Sequence, residues 1–235
     1  MRMIRPKTIG LGLVAALAMS GLGSTSALAV PEFLHEGKEV VKTGFTTKSS
    51  TGTIYVEVGE TKYKIVCKSS TASGKIKGTK EVEGVVIKFK GCKAKEEGES
   101  TECEVNSTNP LGGTEEIITK TLKGRLGTVA AGEAASERGL TLEATTGSVF
   151  AAIVGSTVCL PAETSEIKGV LIGEIKPVKT LKLKGELVFK TKEMKTQLIK
   201  HLVGELGNHE LEVFGVKTPL ETTTVAEYAE AVEVT

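Results

Sequence analysis

The feature that most constrains this chain is a repeated period of two. In "TIYVEV" Ile54 and Val56 alternate with Tyr55 and Glu57, in "TKYKIVC" Tyr63 and Ile65 share a face with Cys67, and in "EGVVIKFKGC" Val85, Ile87 and Phe89 line up the same way. Successive side chains of a strand point to opposite faces, so this alternation sends apolar residues inward and Lys or Glu outward. The pattern returns in "TKTLKGRLGTV", "GLTLEATT", "SVFAAIV", "SEIKGVLIGEI", "KTLKLKGELVFK" and "HELEVFGV", punctuated by Gly, Asn, Ser and Thr. Many short alternating segments imply an all-β protein, an antiparallel β-sandwich or barrel. Tyr63, Phe89, Phe150, Phe189 and Phe214 fall at core positions, whereas Tyr55 and Tyr228 look free.

Two segments fit the pattern less well. In "TKEMKTQLIKHLVGEL" Met194, Leu198, Leu202 and Leu206 recur at steps of four, so 192–206 reads as a helix or turn as readily as a strand. In "VAEYAEAVEV" Val225, Tyr228 and Val232 suit a helix, whereas Tyr228, Val232 and Val234 share one face of a strand; the strand is favoured.

The first residues have another purpose. "MRMIRPK" carries Arg2, Arg5 and Lys7 and no acid, "TIGLGLVAALAM" is an apolar run shorter than the roughly 20 residues of a membrane span, and Ala27-Leu28-Ala29 is a small-x-small cleavage pattern. Residues 1–29 are therefore expected to be a signal peptide and 30–235 a single β-rich extracellular domain, secreted or held at the cell surface. The leader holds three of the 30 basic residues and none of the 29 acidic ones, which leaves 27 against 29 in the remainder. Lys and Glu interleave, as in "KIKGTKEVEG", so nucleic acid and anionic membrane are not expected partners.

"VCKSSTASGKIKG" at 66–78 has a worn counterpart in "VCLPAETSEIKG" at 158–169, and "KEVEGVVIK" at 80–88 one in "KPVKTLKLK" at 176–184. The offset moves from 92 residues at the cysteines to 96 at the lysines. Either Lys- and Val-rich strands resemble one another by chance, or an internal repeat near 63–90 and 155–190 builds two pseudo-repeated halves.

Four cysteines, Cys67, Cys92, Cys103 and Cys159, stand in a chain read as exported, so disulfides are expected and three pairings are possible. A zinc site is disfavoured: there is no C-x-x-C pair and no nearby His. Cys92 to Cys103 would staple the polar loop "KAKEEGESTE", and Cys67 to Cys159 would then join the repeated elements. That pairing is the working expectation.

"YKIVCKSS", "GKIKG", "VEGVVIKFKGCK", "IITKTLKGRLGTV" and "EIKGVLIGEIKPVKTLKLKGELVFK" together resemble a multi-copy group of secreted proteins of unknown function from soil actinobacteria. The resemblance runs from about residue 40 to the end and rests on cysteines, glycines and strand alternation. It implies an exported β-rich fold and carries over no catalytic or binding residue.

The search for chemistry gives little. His35, His201 and His209 are scattered, with no second His at ligand spacing. Ser165 with Lys168 matches S-x-x-K and Lys42–Gly44 is K-T-G, but the order is the reverse of that in penicillin-recognising enzymes, and Ser165 opens a strand. Glu96 with Glu97, and Glu115 with Glu116, are neighbours in charged loops, unlike two acids held across a cleft. Asn106 begins a glycosylation sequon. No catalytic residue, metal or cofactor is assigned. The expected function is that of a non-catalytic β protein acting through surface contacts, as an adhesive or structural envelope component. The alternative is a carbohydrate- or ligand-binding module, with polysaccharide among the expected partners; that reading lacks an exposed aromatic platform beyond Tyr55 and Tyr228.

Overall fold

The computed structural model describes residues 30–40, 42–109, 111–130, 132–133, 137–205 and 209–235. The expected signal peptide, 1–29, lies outside the described residues, as does Leu206. The first strands are β1 (Phe33–His35), β2 (Lys38–Glu39), β3 (Lys42–Ser49), β4 (Gly52–Val58), β5 (Thr61–Lys77) and β6 (Glu81–Glu96). Next come β7 (Cys103–Ser107), β8 (Glu116–Ile118), β9 (Leu122–Thr128), β10 (Arg138–Ala144), β11 (Val149–Gly155) and β12 (Thr164–Lys176). The last are β13 (Lys182–Phe189), β14 (Thr191–Lys192), β15 (Thr196–Gln197), β16 (Leu211–Val213), β17 (Val216–Thr218) and β18 (Leu220–Val234). All-β, antiparallel architecture is what the alternation implied, and the body is sandwich-like rather than a regular barrel.

The reason lies in four long strands, β5, β6, β12 and β18, each of which changes partners along its length. At one end β3, β5, β6, β9, β10, β12, β13 and β18 pair in sequence and return to β3. We call this circuit the cavity ring. At the other end β4, β5, β6, β7, β11, β12, β16 and β17 follow one another. This second circuit, the cystine ring, closes onto β4 where Leu220 pairs with Ile54 and the Tyr55 N–H donates to Pro219 O at 3.1 Å.

The rings meet where the β5–β6 hairpin turns over. Towards the cystine ring Ile65, Cys67, Cys92 and Ala94 are buried; towards the cavity ring the inward positions are Ser70 and Ile76 on β5 and Val85 and Phe89 on β6. The inward parity changes on both strands between these sets, at Lys68 and Gly91. Gly91 has φ 63°, a left-handed conformation that favours glycine at the turnover.

All four cysteines are bridged, but the pairing differs from the expected one: Cys67 bonds Cys92 and Cys103 bonds Cys159. Register explains it. Cys67 stands directly opposite Cys92 on the neighbouring strand, with Cα atoms 3.9 Å apart, whereas Cys103 is set two positions along, opposite Ala94. The Cys92 N–H donates away from β5, to Glu115 O at 2.9 Å, which makes Cys67 and Cys92 a non-hydrogen-bonded pair whose side chains come close. Cys103 lies two residues before Val105, the partner of Gly155, and so reaches Cys159 in the turn after β11. The 97–102 loop is held by its own hairpin and by Lys64, Lys62 and Lys93, paired with Glu97 at 3.1 and 3.8 Å and Glu102 at 4.0 Å.

Among the described residues of 192–206 the helical spacing produces no helix. Residues 191–197 form the β14–β15 hairpin, with Glu193 and Met194 at φ 55° and 58°, and Leu202 bridges Val129. Ile199 and Leu202 instead cover Ile172 and Val129, a small second core on the outer side of β12. The C-terminal segment is the expected strand, β18, with Thr224, Ala226, Val232 and Val234 buried. Of the two matched sequences, 80–88 and 176–184 lead into the second strands of the β5–β6 and β12–β13 hairpins, which sit opposite each other in the cavity ring. Their cysteines do not correspond, since Cys67 is mid-strand and Cys159 lies in a turn.

Candidate functional site

The residues weighed for catalysis are kept apart or already engaged. Ser165 and Lys168 lie an odd number of positions apart on β12 and so face opposite ways. Ser165 Oγ accepts the Phe214 N–H at 3.3 Å, and Lys168 is paired with Glu166 at 2.9 Å. The hydrogen bond to Glu166 pushes the Lys168 pKa up, the wrong direction for a lysine base. Glu97 is held below the usual carboxylate range by its hydrogen bond to Lys64, and Glu116 by the Gly113 N–H, so both favour the ionised form rather than that of a general acid. His35 Nδ1 lies 2.7 Å from Ala231 O, and His209 pairs with Glu205 at 3.4 Å. Among the described residues no three His, Cys or Glu side chains come together as a metal-binding group. Asn106 Oδ1 accepts the Glu115 N–H at 2.6 Å, so the sequon amide helps to fix the 111–115 turn.

The two aromatics expected to be free divide. Tyr55 is at the surface, but its hydroxyl donates to Glu221 at 3.2 Å and Lys64 Nζ stands 6.0 Å from its ring centroid. Tyr228 is a correction: it packs against the core, and burial pushes its phenol up to about 12. Neither offers an open stacking platform. Of the five predicted core aromatics, Phe89, Phe150 and Phe189 are buried, and Tyr63 and Phe214 pack on the core from its edge.

An open groove of about 710 Å³ runs along the outer side of β5, β6, β9 and β10. Register builds it. Lys77, Glu81 and Arg125 are successive cross-strand neighbours, Lys75 stands opposite Glu83, and Lys123 stands opposite Glu143. Gly84, at φ 63° in the irregularity between Val82 and Val85, bends β6 at the floor of the groove. Lys77 pairs with Glu83 at 3.3 Å and Lys123 with Glu143 at 3.4 Å. Among the described residues Lys75 and Arg125 have no carboxylate partner within 4.0 Å, and Thr121 and Thr145 add hydroxyls to the wall. The result is donors and acceptors in rows spaced by the roughly 4.8 Å between strands. Sequence reading saw only that Lys and Glu interleave; the β6–β9 register that gathers them is a long-range pairing with no local signal.

Comparison with protein-family models, with curated proteins and with solved structures finds no match to this chain. No helix among the described residues is long and apolar enough to cross a membrane. The two disulfides are consistent with an oxidising environment.

Proposed function

We propose that the protein is an exported, non-catalytic β protein that acts by surface contact, laying an extended envelope polysaccharide along the β5–β6–β9–β10 groove. The observation that carries this reading is the pair of exposed cations without a carboxylate partner within 4.0 Å, Lys75 and Arg125, in a groove whose other lysines are ion-paired. Arg donates two parallel hydrogen bonds to a carboxylate, and the flanking Glu, Lys and Thr groups offer acceptors and donors to hydroxyls. Exposed ion pairs are worth only about 0–1 kcal/mol, so exchanging them for contacts to a ligand costs little. The leader and the disulfides support export, and the rigid antiparallel ladder supports a preformed surface.

Co-sedimentation of the leaderless chain with insoluble cell-wall polysaccharide, together with titration against a soluble polyuronate, tests this. The expected result is saturable binding that the double variant Lys75→Glu, Arg125→Glu weakens at least about tenfold. Wild-type protein that fails to bind either polymer, or a double variant that binds equally well, defeats the proposal.

A further inference from the structure

Eight strands enclose an interior that is either just filled by side chains or able to hold one small molecule. In the cavity ring the inward positions include an unusual share of small groups: Thr47 on β3, Ser70 and Ala72 on β5, and Thr222 and Thr224 on β18. They face Phe45, Ile87, Leu140, Leu187 and Phe189, and a void of about 50 Å³ remains among them. A second void of about 40 Å³ lies towards Phe33, Ile76, Val82, Ile175 and Tyr228. Phe45, Thr47, Leu140 and Leu187 line both voids and so form the partition between them. Four inward-facing side chains, Phe45, Ile87, Leu187 and Tyr228, pack on the core yet are not fully buried, which an underfilled interior explains.

The chemistry of the walls selects the occupant. Lys and Arg are missing from both linings, and the sole charged lining residue is Glu186 beside the second void, so a carboxylate or phosphate has no counter-ion there. Ser70 Oγ is already bonded to Ser49 Oγ at 2.7 Å, and the Thr222 hydroxyl donates to Thr51 O at 3.3 Å. Apolar cavities stay dry and take up apolar guests. A void of about 50 Å³ suits an atom or fragment the size of xenon, and a rotamer change of Leu187, which lines both voids, joins them into a space for an aromatic ring or short hydrocarbon.

We propose that the interior of the cavity ring, walled by Phe45, Thr47, Ala72, Leu140, Leu187 and Tyr228, is a binding chamber for a small, uncharged, hydrocarbon-like molecule. It is separate from the exterior groove and independent of that reading.

Benzene is the probe. Methyl and aromatic NMR spectra of the leaderless chain are recorded with increasing benzene, and melting is followed in parallel. Saturable shifts at Leu140, Leu187 and Phe45 are expected, with Tm raised by about 2–4 °C. Leu187→Ala, which opens the partition at one of its four side chains, is expected to tighten benzene binding about tenfold, and Ala72→Val, which fills the first void, to weaken it at least about fivefold. Each variant covers the other should one fail to fold. The proposal is overturned if wild-type protein shows no saturable shift at these residues, if the shifts cluster instead at the Tyr55 surface, or if Leu187→Ala binds no more tightly than wild type.

Discussion

In the cystine ring Ile65, Cys92, Ala94, Val105 and Ile153 are all 0% exposed, and two disulfides tie β5 to β6 and β7 to the turn after β11. A few residues further along β5 and β6, Ala72 and Ile87 also point inward but keep accessible surface, as do Phe45 on β3 and Leu187 on β13. The backbones of the two rings are alike: both are antiparallel, and β5, β6, β12 and β18 serve both. What differs is side-chain volume at the inward positions. Ile, Val and cystine fill one ring, whereas in the other Thr, Ser and Ala stand among the Phe and Leu residues and leave gaps. Tight packing is the source of stability, since dispersion and burial both fall steeply once a gap opens. The underfilled ring gives up some of that stability and gains a space.

The comparison can be broken most forcefully at the disulfides. Replacing Cys103 and Cys159 together by Ser releases a loop spanning 56 residues and is expected to cost about 4 kcal/mol; replacing Cys67 and Cys92, 25 apart, about 3–4 kcal/mol. Denaturant melts measure both. Non-reducing peptide mapping must also recover those two pairs; a Cys67–Cys159 peptide would refute the β5–β6 register.

Truncation is expected to sort the rings. Ile153→Ala removes a fully enclosed side chain and should cost about 4 kcal/mol, whereas Leu187→Ala, beside an existing void, should cost about 2 kcal/mol. Equal losses in chemical denaturation would mean that the rings are packed alike.

Alkaline pH probes the cavity ring through Tyr228. Burial raises its pKa from 10.0 to about 12, so between these values the folded state keeps a proton that the unfolded chain has lost. The stabilisation is fully present below pH 10 and is lost as pH rises through 12. At about 1.4 kcal/mol per unit this amounts to about 3 kcal/mol, to be read as the difference in alkaline stability between wild type and Tyr228→Phe. Ultraviolet titration should show one phenol ionising late. If Tyr228 ionises near 10, the chamber wall is open to water.

The smallest effect carries opposite signs in the two rings. Ala94→Val forces two carbons into a filled interior and should destabilise by about 1–3 kcal/mol, while Ala72→Val occupies a void and should stabilise by up to about 1 kcal/mol. Matching signs in thermal melts would remove the distinction.

Much of the fold was readable from residues alone. Alternation placed Ile54, Val56, Ile65, Val85 and Phe89 on buried faces, because period two is a local property of each strand. The Cys67–Cys92 bond lay one residue out of reach. Lys77 pairs with Glu81 across the Gly78–Lys80 turn, and counting outwards from that turn brings Cys67 opposite Gly91; the irregularity between Ser73 and Lys75 adds one residue to β6 and moves Cys92 into that place. A bulge of this kind has no sharp signal in the alternation of residues. Steps of four at Met194, Leu198 and Leu202 misled because a hairpin followed by an irregular cover can satisfy the same spacing, Met194 at an exposed turn and Leu202 against β12. Tyr228 looked free because its neighbours on β18 are small and polar, and what buries it comes from other strands, with Phe33, Ile76 and Leu187 lining the same void. The groove and the chamber both depend on ring closure, a set of pairings between strands far apart in sequence, such as Phe45 with Tyr228.

Xenon tests the difference between the rings most directly. In crystals of residues 30–235 held under xenon pressure, density is expected among Phe45, Thr47, Leu140 and Leu187, with none between Ile65, Val105 and Ile153. An empty cavity ring, or xenon lodged in the cystine ring, would contradict the account.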